Sequence, residues 1–453
     1  VAASAALATA GTATAATPNA AAFWNKVAED TIVGSGAFQN EGLIYMGYVS
    51  AAVYNAAVAV DGGYRPYGPA IAAPAGASAE AAVDEAAYQT LHNYFPSQAA
   101  QLDAAHAASL LLVPDGSAKA AGQAVGLAAA NAIISQRAGD GRMTPIGVTS
   151  PFPLRAPGAG VWRLTSPAFA APQTPWVAAV RPFVLRRTDR FLPKRPPRLT
   201  SRTWAAAFNE IKAVGSAASS IRTADQTAVA RFWTANVIRQ YNGVAREIAD
   251  TGGLDLVQTA RLAAMVNMVG ADAQIACMSA KYHFLRWRPV TAIDPTSVTA
   301  DGYGPVPGYD DGNPNTTEEP GWRPLITTPN HPEYPAAHGS MTSAMAQVFT
   351  TFLGTRRIDI DVHGFDATGA AGNLDATRHF ARASDLRHEI INARLWAGLH
   401  FRFSGIAGVK LGRAVAKYDL ERAFQATEAS DDDDDADDAA ATGRRPGHAH
   451  GRR

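Results

Sequence analysis

The chain has a single cysteine, Cys277, in 453 residues. One thiol excludes an intrachain disulfide and any cysteine-based zinc site. In the apolar run AQIACMSA it reads as a core residue. Such sparing use fits a cytoplasmic protein, or an exported bacterial one that avoids cysteine. An excess of either charge is also missing, with 40 Lys+Arg against 40 Asp+Glu. Residues 431–453 hold seven Asp and four Arg, a net of −3, which leaves the remainder at +3. That excess is too small to imply a nucleic-acid partner. There is no repeat of fixed period, and continuous β-alternation is scarce. Long charge-free apolar runs are nearly absent too. Leu43–Val60 has 18 residues and sits at the threshold for a spanning helix. It contains Ser50, Asn55 and three tyrosines, so a buried helix is expected there and no stable membrane span.

The first 25 residues carry no charge and are rich in Ala and Thr. They look like the apolar part of a secretory signal, with a small-x-small site near Ala13-Thr14-Ala15, although a basic leading segment is missing. A secreted or extracytoplasmic location is the expectation from this pattern. A disordered Ala-rich arm on a cytoplasmic protein is the alternative.

What is present is helical periodicity and a substantial core, with 47% hydrophobic residues. The spacing predicts helices over Glu41–Val60, Ala77–Tyr94, Ser97–Leu112 and Ala118–Ala138, the last ended by Gly139-Asp140-Gly141. They resume at Ser201–Ser216, Thr223–Phe232, Thr234–Ala249, Leu254–Trp287, Ala336–Leu353, Ala383–Leu399 and Gly405–Phe424. The expected organisation is a signal-like or disordered segment at 1–20, an N-terminal helical part at 21–138 and a Pro-rich connection at 139–200. A C-terminal helical bundle follows at 201–426, then a disordered acidic and basic tail at 427–453. His448 and His450 in that tail read as solvated residues. The fold class is all-α, built as packed bundles.

Three separated segments carry chemistry. In KYHFLRWRP (281–289), Lys281 and Arg288 are seven apart, which on a continuous helix puts both on one face, with Pro289 stopping it. In ARLWAGLH (393–400), Arg394 and His400 sit among apolar residues, so both are expected to be at least partly buried. A buried Arg requires a partner, and no acid lies in the same turn, Glu389 being five residues back. In HPEYPAAHGSM (331–341), prolines precede His338 and a helix expected to start after Pro335. Three cations and two imidazoles suit a tetrahedral oxyanion, with Arg giving bidentate donors, Lys a point charge, and a helix N-terminus backbone N–H groups.

This pattern, Lys-x6-Arg-Pro, then Pro-x-x-His, then Arg-x5-His, resembles the superfamily of vanadium-dependent haloperoxidases and type 2 phosphatidic acid phosphatases. The stretches WRPVTAI, DDGNPNTTEEPGWRPLITTPNHPEYPAAHGS and VRPFVL look like soluble bacterial haloperoxidase-type proteins, and the likeness spans about residues 20–425. It implies two packed helical bundles with the site in the C-terminal one. Lys281, Arg288 and Arg394 would hold the oxygens of vanadate or phosphate, with the backbone N–H of Ala337. His400 would bond the vanadium, or attack phosphorus in a phosphatase through a phosphohistidine. His338 would be the acid/base, and Lys281 would polarise bound peroxide.

The resemblance thus implies hydrogen peroxide and halide as substrates, phosphate monoesters as the alternative, and a non-catalytic anion-binding protein as a second alternative. A homodimer is compatible with it. Ala336, Ala337 and Ala393 stand where the family keeps Ser, Gly and Ser, and each lost hydroxyl removes a hydrogen bond of about 1–3 kcal/mol to a charged partner. His331, seven residues before His338, stands where chloroperoxidases resemble one another in having Phe and algal bromoperoxidases in having His. That suits bromide or iodide over chloride, unless His331 merely caps the loop. His283, His363, His379 and His388 hold no motif position and read as structural or surface residues. Asp310, Asp311, Glu318 and Glu319 read as a solvated loop rather than a calcium site.

Overall fold

Asn19 accepts hydrogen bonds from the N–H groups of Ala21 and Ala22, which starts α1 (Ala20–Gly34). The computed structural model describes residues 19–144, 155–156, 158–298, 310–364 and 376–427. The signal-like segment before Asn19, the acidic tail with His448 and His450, and parts of the two irregular connections lie outside them. The expected helices do not include α1. Its cap and its buried stripe of Ala20, Trp24, Ala28 and Ile32 explain it.

Four more helices complete the N-terminal group: α2 (Gln39–Asp61), α3 (Ala79–Tyr94), α4 (Ala99–Leu110) and α5 (Ser117–Arg137). The C-terminal group holds α6 (Arg202–Val214), α7 (Ala224–Phe232), α8 (Val237–Thr251), α9 (Leu256–Phe284), the short α10 (Pro289–Ile293), α11 (Ala337–Phe352), α12 (Ala383–Trp396) and α13 (Arg402–Leu420). In the first group α3 packs on α2 and α5, and in the second α11 packs on α9, α12 and α13. The α2–α9 contact joins the two. These two helices are long and apolar enough to cross a membrane, yet 89% and 94% of their apolar windows are buried inside the protein. They are the central pair of the core, which places Leu43–Val60 as a buried helix. Cys277 on α9 is buried as well.

The only sheet among the described residues is an antiparallel hairpin of β1 (Arg357–His363) and β2 (Thr377–Arg382). Ile358, Ile360 and Val362 are buried between more exposed neighbours, a period-2 pattern too short to outweigh the helical context in the sequence.

The Pro-rich connection is fastened from both sides. Asp272, buried on α9, accepts the N–H groups of Phe183, Val184 and Leu185 at 2.6, 2.7 and 2.8 Å. From α5, Arg137 donates to the carbonyls of Arg181 and Pro182 and stacks on the Phe183 ring. This gives the VRPFVL stretch its physical role: an irregular backbone can be buried only when its polar groups find partners. Asp419 of α13 lies against Asp272. Neither Asp419 oxygen has an N–H or O–H donor, so a proton on Asp419 itself supplies the hydrogen bond. Burial, then the Asp272 charge, pushes the Asp419 carboxyl well above the carboxylate range.

The start of α11 is positioned by glycines on α13. A Cβ on Gly408 would stand 2.3 Å from the carbonyl oxygen of Ala336, and one on Gly412 would collide with the carbonyl of Ser340. Only Gly permits these helices so close an approach.

Two outcomes are expected. Gly408→Ala lowers stability by about 1–3 kcal/mol in denaturant unfolding, whereas Gly34→Ala, with nothing within 4 Å of the added Cβ, stays within about 0.5 kcal/mol. For Asp419 the folded pKa lies above the unfolded one, so the native state holds the extra proton and stability falls as pH rises through that window. Asp419→Asn keeps a donor to Asp272 and removes this slope, so melting temperatures across pH show the variant gaining on the wild type toward alkaline pH.

Candidate active site

The capping box of Asp255 and Gln258 starts α9, which runs to Phe284 and ends at Leu285 with φ 49°, a left-handed conformation uncommon for a branched side chain. Lys281 sits in the last turn. The chain then extends, pinned to the loop 160–162 by Trp162 N–H to Leu285 O at 2.7 Å and Trp287 N–H to Gly160 O at 3.1 Å. Arg288 follows as the extended residue that caps α10, and Pro289 is the first residue of that helix. The expectation of one continuous helical face is therefore corrected. Lys281 and Arg288 converge because α9 breaks between them, and Pro289 begins a helix instead of ending one.

Both cations are fully buried and meet the same segment, 329–333. Lys281 Nζ donates to the carbonyls of Pro332 (2.8 Å) and Glu333 (2.9 Å). Arg288 donates through Nε to His331 O (2.9 Å) and through its terminal nitrogens to Pro329 O (3.2 Å) and Leu399 O (3.1 Å). It also donates to His331 Nδ1 (3.0 Å) and His400 Nε2 (3.2 Å). A guanidinium is always a donor, so both of those ring nitrogens present lone pairs. The 3.2 Å contact of His331 Nδ1 with Pro332 O then carries no proton, and the neutral ring bears it on Nε2. His331 does not merely cap its loop: it contacts Arg288 directly.

His400 lies in the turn between α12 and α13. Gly398, at φ 76°, makes this turn against Gly215 and Pro324, where a Cβ would clash at 2.5 and 2.7 Å. Nδ1 of His400 donates to Glu333 Oε1 at 3.0 Å, and the Phe401 N–H reaches the same oxygen at 3.2 Å. Glu333 thus holds the tautomer that leaves Nε2 unprotonated. Behind this turn Phe401 packs on Trp204, which stacks on Trp287 beside Arg288. Arg394, 3% exposed, donates to Trp233 O at 3.0 Å, and its Nε has no partner. Glu389 is turned away from it, bound to Arg378 and to the Trp233 indole.

His338 is the second residue of α11, Ala337 the first. The cap residue Ala336 has no side-chain oxygen to offer, so first-turn N–H groups remain for another acceptor. Nε2 of His338 is buried without a partner. The ring borders a narrow cavity shared with Gln39, Asn40 and Gln274.

Electrostatics follow from burial. It lowers Lys281 to about 7, Arg394 to about 9 and Arg288 to about 10, and raises Glu333 to about 7 against the opposing pull of Lys281 and Arg288. Burial and the neighbouring cations push His331, His338 and His400 well below the ordinary imidazole value. Three buried cations face one buried carboxylate, with donor-capable atoms of Arg394 and His338 left over. This set fits a tetrahedral oxyanion, for which all the groups named from the sequence are gathered except the hydroxyls that Ala336 and Ala393 lack. The sequence argument missed Glu333 and the carbonyls of 329–333. The signal for Glu333 was its isolation: it is the only Asp, Glu, Lys or Arg between Arg323 and Arg356. His283, His379 and His388 are exposed and His363 is half-buried. Asp311 accepts from the Trp204 indole and from Thr316 in a structural loop.

Residues 261–429 match the family described as VCPO second helical-bundle domain. The fold is similar to that of the first bacterial vanadium-dependent iodoperoxidase, with TM-score 0.72 and 20% identity over 91% of this chain and 98% of that one. It is similar to a holo-type bacterial vanadium-dependent chloroperoxidase, with TM-score 0.63 and 17% identity over 87% and 92%. An apo-type bacterial vanadium-dependent chloroperoxidase gives TM-score 0.64 and 16% identity over 84% and 92%. No curated protein is significantly similar in sequence. The chain thus shares the fold of these bacterial vanadium-dependent haloperoxidases, and its residues 261–429 match the model of a second helical-bundle domain.

Glu333→Ala leaves the buried cations without their carboxylate and costs about 3–5 kcal/mol, while Glu333→Gln, which retains an acceptor for His400 Nδ1–H, costs less. Imidazole ¹⁵N NMR checks the tautomer, expected to persist in the Gln variant only. The three depressed His values give a second expectation. Unfolded imidazoles take up protons below about 6.5 while the folded ones stay neutral, so these three groups lower stability as pH falls below that value, opposed by Glu333, whose raised value acts the other way; melting temperatures between neutral pH and pH 5 are expected to fall less steeply in His338→Gln than in the wild type.

Proposed function

We propose that the protein is a vanadate-dependent haloperoxidase-type enzyme that oxidises halide with hydrogen peroxide to a hypohalous acid equivalent. The observation that carries this reading is the only partly compensated buried cluster of Lys281, Arg288 and Arg394 around His400 Nε2. Bound vanadate would supply a Lewis-acidic centre that activates peroxide toward a halide nucleophile without a change of metal oxidation state.

The chain's own groups supply the rest. Arg288, Arg394 and Lys281 neutralise the oxyanion, helped by the free N–H of Ala337. Glu333 keeps His400 Nε2 unprotonated, so that this nitrogen would bond the metal in exchange for its present hydrogen bond from Arg288. His338 Nε2, neutral near physiological pH, takes and returns the proton of incoming peroxide as general base and acid. Lys281, in its protonated form, would polarise a bound peroxide oxygen. His331, in contact with Arg288, supports bromide or iodide over chloride. The same His400 lone pair is also suited to attack phosphorus, so a phosphatase acting through a phosphohistidine remains the competing reading.

The test is reconstitution with vanadate and measurement of peroxide-dependent halogenation of a phenol dye with chloride, bromide and iodide, beside hydrolysis of a phosphate monoester. Bromide and iodide turnover is the expected result; ester hydrolysis without halogenation would overturn the proposal. His338→Ala is expected to lower kcat about 10²–10⁴-fold, and His400→Ala to abolish vanadate binding. His331→Phe is expected to shift the bromide-to-chloride rate ratio toward chloride by about tenfold.

A further inference from the structure

At the far end of α11 from His338, the C-terminal half of α11, the start of α12 and the C-terminal half of α13 line a cleft of about 670 Å³. That size is within the range of small-molecule sites. Its charge is one-sided. Arg356, Arg382, Arg387, Arg413 and Lys417 line it, against one carboxylate, Glu421. Lys417 and Arg422 share that carboxylate at 3.8 and 3.4 Å. None of the four arginines has an ion pair among the described residues. Arg387 has only Ser343 Oγ, at 3.3 Å. Because the whole chain is neutral, the cluster is not a by-product of basic composition.

The local structure makes these charges costly by themselves. Arg382 is the cap residue of α12 and makes no side-chain capping bond. Arg387 lies one turn into the same helix. Positive charge at a helix N-terminus opposes the helix dipole, and Asp385 is the sole acid of that turn. Burial, then the charge of Arg413, depresses Arg387 to about 10. Arg413 and Lys417 are one turn apart on α13, so they present two cations side by side. Hydroxyls of Thr350, Thr351 and Ser384 complete a polar lining.

We propose that this cleft is a second anion-binding site, separate from the oxyanion cradle, which takes a small ligand carrying two or more phosphate-type groups. Five cations exceed what one phosphate can neutralise. The cations come from two sides, the hairpin end and α13, with Arg387 between them. The N–H of Ala383 is taken by the Arg356 carbonyl, which leaves the N–H groups of Ser384 and Asp385 as the backbone donors of the α12 first turn.

The test uses the full chain and pyrophosphate as probe, titrated calorimetrically into wild type and into the variant in parallel, with one equivalent of orthovanadate present to occupy the other site. Arg413→Gln/Lys417→Gln alters two exposed side chains, and its circular dichroism melt checks that the fold is retained. Expected are saturable pyrophosphate binding, a loss of affinity of about tenfold or more in the double variant, and orthophosphate binding weaker than pyrophosphate by a similar factor. Absence of binding, or unchanged affinity in the folded variant, overturns the site. Orthophosphate binding as tightly as pyrophosphate overturns the two-group ligand. None of these readouts depends on haloperoxidase activity.

Discussion

Three basic side chains in a dry helical core must be met by negative charge or by oriented dipoles, because the cost of an unpaired buried charge exceeds anything local packing returns. Lys281, Arg288 and Arg394 meet that requirement only partly. Carbonyls at 329–333, 399 and 233 take most of their hydrogen bonds, and Glu333 is the one buried carboxylate near them. The remaining deficit is what an oxyanion would fill. Much of the C-terminal bundle can be understood as the apparatus that keeps this deficit in place: the break in α9 at Leu285, the extended 286–288 segment, the Gly398 turn and the aromatic packing of Trp204, Trp287 and Phe401.

Position follows from close approach. The glycines of α13 let it settle on the first turn of α11, and this fixes the height at which His338 enters the site. On the other side of α9, Asp272 fastens the Pro-rich connection, so the same helix that delivers Lys281 also anchors the segment joining the two helical groups. A single element therefore carries both fold and chemistry. This explains how a long irregular connection is compatible with a rigid site.

Nearly every helix after α1 was legible in the sequence, because apolar periodicity and Gly or Pro boundaries are local signals. So were the five groups Lys281, Arg288, His338, Arg394 and His400, since they recur as a three-part pattern and their residue types point to an oxyanion. α1 was obscured by the uncharged Ala-rich run before it. The hairpin was obscured by its brevity. The common helical face for Lys281 and Arg288 was wrong because nothing in KYHFLRWRP marks a left-handed turn at a leucine; the break is set by pairing with loop 160–162, more than a hundred residues away.

The sequence by itself determined the all-α class, the inventory of charged groups and their order along the chain, because these depend on composition and short-range period. Only the tertiary structure decided which atoms meet. Glu333 became the partner of His400, His331 became a ligand of Arg288, and the arginines of α12 and α13 became one cleft. Such pairings depend on how distant backbones pack, and a linear spacing rule does not extend across a loop whose path is set by hydrogen bonds to other elements.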